Sequence, residues 1–236
     1  MTATTITKDK TDQVIRRLRD IARDHAPSAL ASSFGVEDMV LTDLIDREEL
    51  DIGIFTLDTA RLPEETYRLM QEVRIRYRVR IVPYFPHNDA VEGYVALNGP
   101  NAFFDSVALR KACCNIRKVE PLRRALAGKT SWITGQRRQH SPTRRDLPFE
   151  ERDEDNRLQK FNPLADWTND EVWTYVKVRE VPYNALHDRF YASIGCAPCT
   201  RAIAVGEDIR AGRWWWEDSE TKECGLHSAN LTTPKS

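Results

Sequence analysis

The chain has no apolar run long enough to span a membrane, and its opening, MTATTITKDK, has no apolar stretch of the kind that leads a secretory signal. Neither charge is in excess: 35 basic side chains stand against 36 acidic ones, for a formal net charge of −1. That balance argues against a surface built to coat nucleic acid or an anionic membrane, while leaving room for a local basic pocket. There is no internal repeat and no low-complexity segment. The expectation is a cytoplasmic protein that partners neither nucleic acid nor membrane.

What is present is enough apolar material for one sizeable core, 41% of 236 residues. The reading is one domain with room for an appendage. Residues 1–10 are polar and expected to be loose and disordered. Val14, Ile15, Leu18, Ile21 and Ala22 recur at helical spacing and predict an amphipathic helix from Asp12 to His25. A short apolar run, Ala29 to Ala31, then meets the small residues Ser32, Ser33 and Gly35, and Met39 to Ile45 predicts a helix. The unit repeats with a strand at Ile52 to Leu57, a turn at Asp58 to Arg61 and a helix at Glu64 to Tyr77. Further strands are expected near Val79 to Val82 and at Trp132 to Thr134. Alternating strands and helices imply an α/β fold with a parallel twisted sheet flanked by helices. Ligands bind such sheets at the carboxyl ends of the strands, so the loops from Ser32, Asp58 and Gly135 are expected to converge there. From Asn169 onward the chain reads as helical, ending in a mobile tail.

Five cysteines in a reducing compartment point to metal or redox chemistry rather than to disulfide staples. Cys113 and Cys114 are adjacent, while Cys196 and Cys199 form a C-x-x-C. Alone, the first pair reads as two small core residues and the second as a zinc half-site or redox pair. Together they suggest one four-thiolate centre. A tandem pair suits a cluster with separate iron corners better than one tetrahedral ion, because neighbouring side chains point apart. Cys224 stands apart in a polar stretch, between Glu223 and Gly225 and close to His227. It reads either as an incidental exposed thiol or as a reactive one, made a thiolate by nearby cations.

These cysteines, together with the segments SSFGVED, LDTARL, GQRRQHSPTR, FNPLADWT and ECGLH, resemble the assimilatory adenylyl-sulfate reductases, relatives of the phosphoadenylyl-sulfate reductases, from about Ser32 to His227. The resemblance implies an adenine-nucleotide α-hydrolase-like fold and a 4Fe–4S cluster on Cys113, Cys114, Cys196 and Cys199. It implies that Cys224 is the nucleophile, taking sulfur from adenylyl sulfate and being restored by thioredoxin or a similar dithiol protein. Residues 11–213 would form the reductase domain and residues 214–236 a C-terminal segment carrying the nucleophile, with a homo-oligomer possible. The substrate with an added 3′-phosphate, or dual specificity, is the alternative; the four cluster cysteines favour the unphosphorylated form.

A phosphosulfate needs donors directed at its oxygens. Ser32, Ser33 and Gly35 lie at a strand-to-helix turn whose amides suit an anion, or which is an ordinary capped helix start. Phe34 replaces the central glycine of the related pyrophosphate-gripping loop, and Met39 stands where that loop ends in serine. Both departures disfavour ATP cleavage. Lys118, one turn beyond Cys114, and Arg144, Arg210 and Arg213 are implied phosphosulfate ligands, the last two expected on one helix. Asp58 and Gly135 are expected adenosine contacts, His227 a residue that tunes Cys224 or caps the tail, and Trp214 to Trp216 mainly packing residues. Ala60 stands where the family commonly has glycine, and Gln139 and His140 where it often has aspartate and glutamine.

Overall fold

In the computed structural model the described backbone comprises residues 3–140 and 144–218, with side chains described from residue 9. Its centre is a six-stranded sheet of order β3-β2-β1-β4-β6-β5. The strands are β1 (Ser28–Ala31), β2 (Ile52–Leu57), β3 (Ile81–Tyr84), β4 (Ser131–Ile133), β5 (Glu150–Asp153) and β6 (Leu158–Phe161). β1 pairs in parallel with β2 and with β4, with Ala29 opposite both Gly53 and Trp132. β2–β3 and β4–β6 are also parallel, and only β5 runs antiparallel. The chain winds outward from β1 to β3, then returns to β4 on the other side of β1. The strand order therefore reverses between β1 and β4, and the crevice beyond their carboxyl ends is where such a sheet takes its ligand.

Both faces are covered. On one, Val14, Leu18 and Ile21 of α1 (Ala3–Asp24), Met39, Leu41 and Leu44 of α2 (Val36–Arg47) and Val172 and Val176 of α7 (Asn169–Arg179) pack with Leu30, Ile54 and Ile133. On the other, Leu122, Ala125 and Leu126 of α6 (Glu120–Leu126) pack on Ala29, Phe55 and Trp132. α3 (Glu64–Arg76), α4 (Asn88–Asn98) and α5 (Val107–Cys114) complete the α-helices among the described residues. Inside the first layer, the buried carboxylate of Asp43 accepts hydrogen bonds from Tyr77 (3.1 Å) and Tyr175 (2.6 Å), which ties α2 to α7.

The expected strands and first helices are present, and three features differ. α1 begins at Ala3, earlier than the helix expected from Asp12. The hairpin β5–β6 was not anticipated: EERD carries no apolar alternation, and as an edge strand it needs little. Among the described residues the last third has no α-helix beyond α7. It continues as 3₁₀ turns at Ala185–Arg189 and Ala197–Cys199 and as irregular chain, so Arg210 and Arg213 do not share a helix.

α7 starts with a capping box: the Thr168 hydroxyl accepts from the Glu171 amide (3.2 Å), and the Glu171 carboxylate accepts from the Thr168 amide (2.7 Å). Thr168→Ala is expected to cost about 1 kcal/mol in urea unfolding, and Thr168→Ser almost nothing. Equal losses in both would mean that the methyl group, not the hydroxyl, matters.

Candidate active site

The loops after β1 and β4 meet because Gly135 has no side chain. A Cβ there would stand 2.9 Å from the Glu37 Cβ and closer still to the Asp38 carboxylate, so no other residue lets the two loops approach this way. The crevice they bound is a cavity of about 260 Å³, lined by Ser32, Ser33, Gly35, Gly135, Lys118, Arg144, Arg210 and Arg213 among others. Eight of the expected substrate residues are thus brought to one place. Asp58 is not: its Oδ1 accepts from the Ala60 amide (2.8 Å) and the Tyr67 hydroxyl (2.9 Å), closing its own turn, and Thr59 lines the cavity instead. Ala60 holds a left-handed φ of 56°, the conformation for which glycine is favoured. Cys224 and His227 lie outside the described residues.

The β1 loop is arranged otherwise than its sequence suggests. Its amides do not all face the cavity, because the loop fills part of its own nest. The amide and hydroxyl of Ser33 both donate to Asp38 Oδ2 at 2.7 Å, and the Phe34 amide donates to Ser32 Oγ at 3.3 Å. Burial pushes the Asp38 carboxyl up to about 6, against hydrogen bonding from Ser33 and Gly35 that opposes the rise. Its neighbour Glu37 goes the other way. Burial would raise it, but His140 and Arg137 bring it down to about 2. Glu37 Oε1 accepts from Arg137 Nε (2.9 Å) and Nη2 (2.7 Å), and His140 Nε2 lies 2.8 Å away. His140 Nδ1 accepts from the Arg137 amide (3.3 Å), so the imidazole proton sits on Nε2 and points at Glu37. Glu37, Asp38 and His140 line the cavity; the sequence singled out His140 as a residue able to alter nucleotide contacts, but neither carboxylate. For the first two, only their place in the first turn of α2 hinted at it.

Beside this cavity is a second, smaller void of about 20 Å³ lined by all four of Cys113, Cys114, Cys196 and Cys199. The first pair ends α5, where the chain passes into a π-helical turn (Asn115–Val119). The second pair brackets the 3₁₀ turn Ala197–Cys199. None of the four is in a disulfide. Burial, then Cys196, pushes the Cys199 thiol up to about 12, with Lys118 and Arg213 opposing. The Thr59 hydroxyl lies 3.2 Å from Cys196 Sγ, and Arg117 Nη1 donates to the Thr59 carbonyl at 2.6 Å. Among the described residues no three His, Cys, Asp or Glu side chains are grouped for a single metal ion. Four thiols spread round one void match instead a group that offers a separate atom to each thiolate. Lys118, Arg213 and Trp214 line both spaces and form the wall between them.

A model of the phosphoadenosine phosphosulfate reductase domain matches residues 27–202. The chain belongs to that family. It is 56% identical over 213 residues to the adenosine 5′-phosphosulfate reductase of Allochromatium vinosum, which spans 90% of this chain and 83% of that one. It is 53% identical over 234 residues to the enzyme of the same name from Burkholderia cepacia, spanning 98% and 94%. Among solved structures, a phosphoadenylyl-sulfate reductase from Candida auris in complex with phosphate superposes with a TM-score of 0.70 at 26% identity, covering 84% of this chain and 96% of that one. Yeast FAD synthetase, at 15% identity and a TM-score of 0.56 over 86% of this chain and 69% of that one, shares the fold alone.

Within this family member, Arg213 and Trp214 owe their place to two close contacts. A Cβ on Gly195 would fall 2.6 Å from the Arg213 Cζ, and Thr200 and Arg213 form an isolated antiparallel bridge. Trp214 is buried, with Arg110 and Arg213 over its ring at 4.7 and 4.8 Å. Arg110, fully buried, grips Glu217 through two hydrogen bonds (2.9 and 2.6 Å) and anchors the start of the C-terminal segment. Lone arginines such as Arg110 give no signal in sequence, since most are solvated surface charges.

Between about pH 4 and 6 the native state retains a proton on Asp38 that the unfolded chain has released, so this group makes stability fall as pH rises through that window. Asp38→Asn should flatten the fall by an amount on the order of 1–3 kcal/mol, seen in urea unfolding at about pH 4 to 6. An unchanged slope would assign the pH dependence to another group.

Proposed function

We propose that this protein reduces adenylyl sulfate to sulfite and AMP in sulfate assimilation, with Cys224 as nucleophile and thioredoxin or a similar dithiol protein as reductant. The observation that carries the reading is the shared wall: Lys118, Arg213 and Trp214 stand between a cationic, nucleotide-sized cavity and a ring of four thiols. The family and the named relatives support it. The relatives' name, adenosine 5′-phosphosulfate reductase, supports the unphosphorylated nucleotide.

In this reading Lys118, Arg144, Arg210 and Arg213 hold the phosphosulfate and neutralise the charge that gathers on the leaving AMP. The Cys224 thiolate attacks the sulfuryl sulfur. The bond from sulfur to the bridging oxygen breaks, AMP departs with the electron pair, and an S-sulfocysteine remains. A thiolate of the dithiol protein then attacks Cys224 Sγ, and sulfite leaves with the pair from the S–S bond. The partner's second thiol resolves the mixed disulfide, so sulfur gains two electrons, the dithiol becomes a disulfide and Cys224 is a thiolate again. Cys113, Cys114, Cys196 and Cys199 would hold a 4Fe–4S cluster, which when bound supplies a rigid support and a fixed local charge next to Lys118 and Arg213. Residues 11–213 form the body of the enzyme in this reading, and residues 214–236 the segment that delivers Cys224 and His227.

Purified without oxygen, the protein is expected to be brown and to release sulfite from adenylyl sulfate with reduced thioredoxin, more readily than from the 3′-phosphorylated substrate. Cys224→Ser should keep iron and colour yet release no sulfite. A colourless zinc protein would sink the cluster assignment, and sulfite release by Cys224→Ser the nucleophile assignment.

A further inference from the structure

We propose that Gln136 reads the purine ring of the nucleotide, its carboxamide held in one orientation by the buried Lys160. The inference rests on the adenylyl-nucleotide reading given above. Gln136 follows Gly135 just beyond the carboxyl end of β4, lines the main cavity and is 5% exposed. Lys160, on the neighbouring strand β6 and 3% exposed, lies in register between Trp132 of β4 and Glu151 of β5. Its ammonium is 2.7 Å from Glu151 Oε1, 5.6 Å from the centre of the Trp132 ring and 3.3 Å from Gln136 Oε1.

An ammonium only donates. The carboxamide must therefore turn its oxygen to Lys160, because the reversed amide would set NH₂ against NH₃⁺. Its remaining edge, Nε2, is a buried donor with no hydrogen-bond partner among the described residues. Buried donors in folded proteins are nearly always satisfied, and one left over in a cavity wall calls for an acceptor from the ligand. The cations that line the cavity suit the anionic part of the nucleotide. The base is left with Phe55, Leu57, Leu122 and Trp132, apolar groups on the α6 face of the sheet, and with the Gln136 Nε2 donor; His187 Nε2 and Trp214 Nε1, likewise buried without a hydrogen-bond partner among the described residues, also line the cavity but lie outside that apolar cluster. An unprotonated ring nitrogen of adenine is the acceptor of matching chemistry, and an apolar wall with one fixed donor is how a small site reads a flat heterocycle. Lys160 and Glu151 are positioning residues here: neither lines the cavity, and they act by holding the carboxamide.

The test is calorimetric titration of the holoprotein with AMP and with 1-deaza-, 3-deaza- and 7-deaza-AMP. Gln136→Met removes the donor without adding charge and is expected to weaken AMP binding about tenfold. One of the three deaza analogues should bind the wild type about tenfold more weakly than AMP and lose nothing further on Gln136→Met. Lys160→Met combined with Glu151→Gln, which frees the carboxamide to turn, should reproduce that analogue-dependent pattern. AMP binding equally well to wild type and Gln136→Met, or all three analogues weakening in step with AMP, would overturn the role of Gln136. A loss in the Lys160 variant that is the same for AMP and every analogue would overturn the orienting role. Failure of the wild type to bind AMP at all would overturn the adenylyl reading beneath it.

Discussion

The close approach of the β1 and β4 loops is the constraint on which the rest of the site depends. Parallel pairing of β1 with both β2 and β4 sets two strand ends side by side, with the chain leaving in opposite directions. The crevice between them closes to molecular size only because Gly135 lets the backbone of one loop rest on Glu37 and Asp38 of the other. Glu37 and Asp38, with Arg137, His140 and Ser33 that hydrogen-bond to them, are placed relative to that contact.

Burying charge around the contact would be costly were each group not answered. Glu37 is answered by Arg137 and His140, Asp38 by Ser33, Lys160 by Glu151 and Gln136, and Arg110 by Glu217. These pairs hold loops and the C-terminal segment against the sheet, which hydrophobic packing of such polar stretches would not do. The same low-dielectric surroundings separate two adjacent carboxyls, Glu37 held near 2 and Asp38 near 6, by partner rather than by residue type.

The four-thiol void and the nucleotide-sized cavity share residues rather than merely adjoining. Lys118 reaches both because the chain leaves Cys114 through a π-helical turn, and Arg213 and Trp214 reach both because Gly195 makes room for a guanidinium. A thiolate-bound group on one side of this wall and an anion on the other would feel the same cations, so the charge state of each bears on the affinity of the other.

Much of this was legible in the residues themselves. Hydrophobic periodicity placed β1, β2, β4 and α3 within a residue or two, because their burial is a local pattern of alternating or helical spacing. The cysteine pairs marked the thiol site, since few other residue types would be set in that spacing for packing alone. Strand ends located the cavity through Ser32, Ser33, Gly35 and Gly135. What the chain did not disclose depends on long-range geometry: the exposed edge strand β5, the non-helical course of Arg210 and Arg213, and Asp58 turning inward to Ala60 and Tyr67. Nor did it show that Asp38 fills the nest of its own loop, that Arg110 is a buried anchor, or that Lys160 fixes Gln136. A charged side chain takes its role from the partner that neutralises it, and only the tertiary structure supplies the partner.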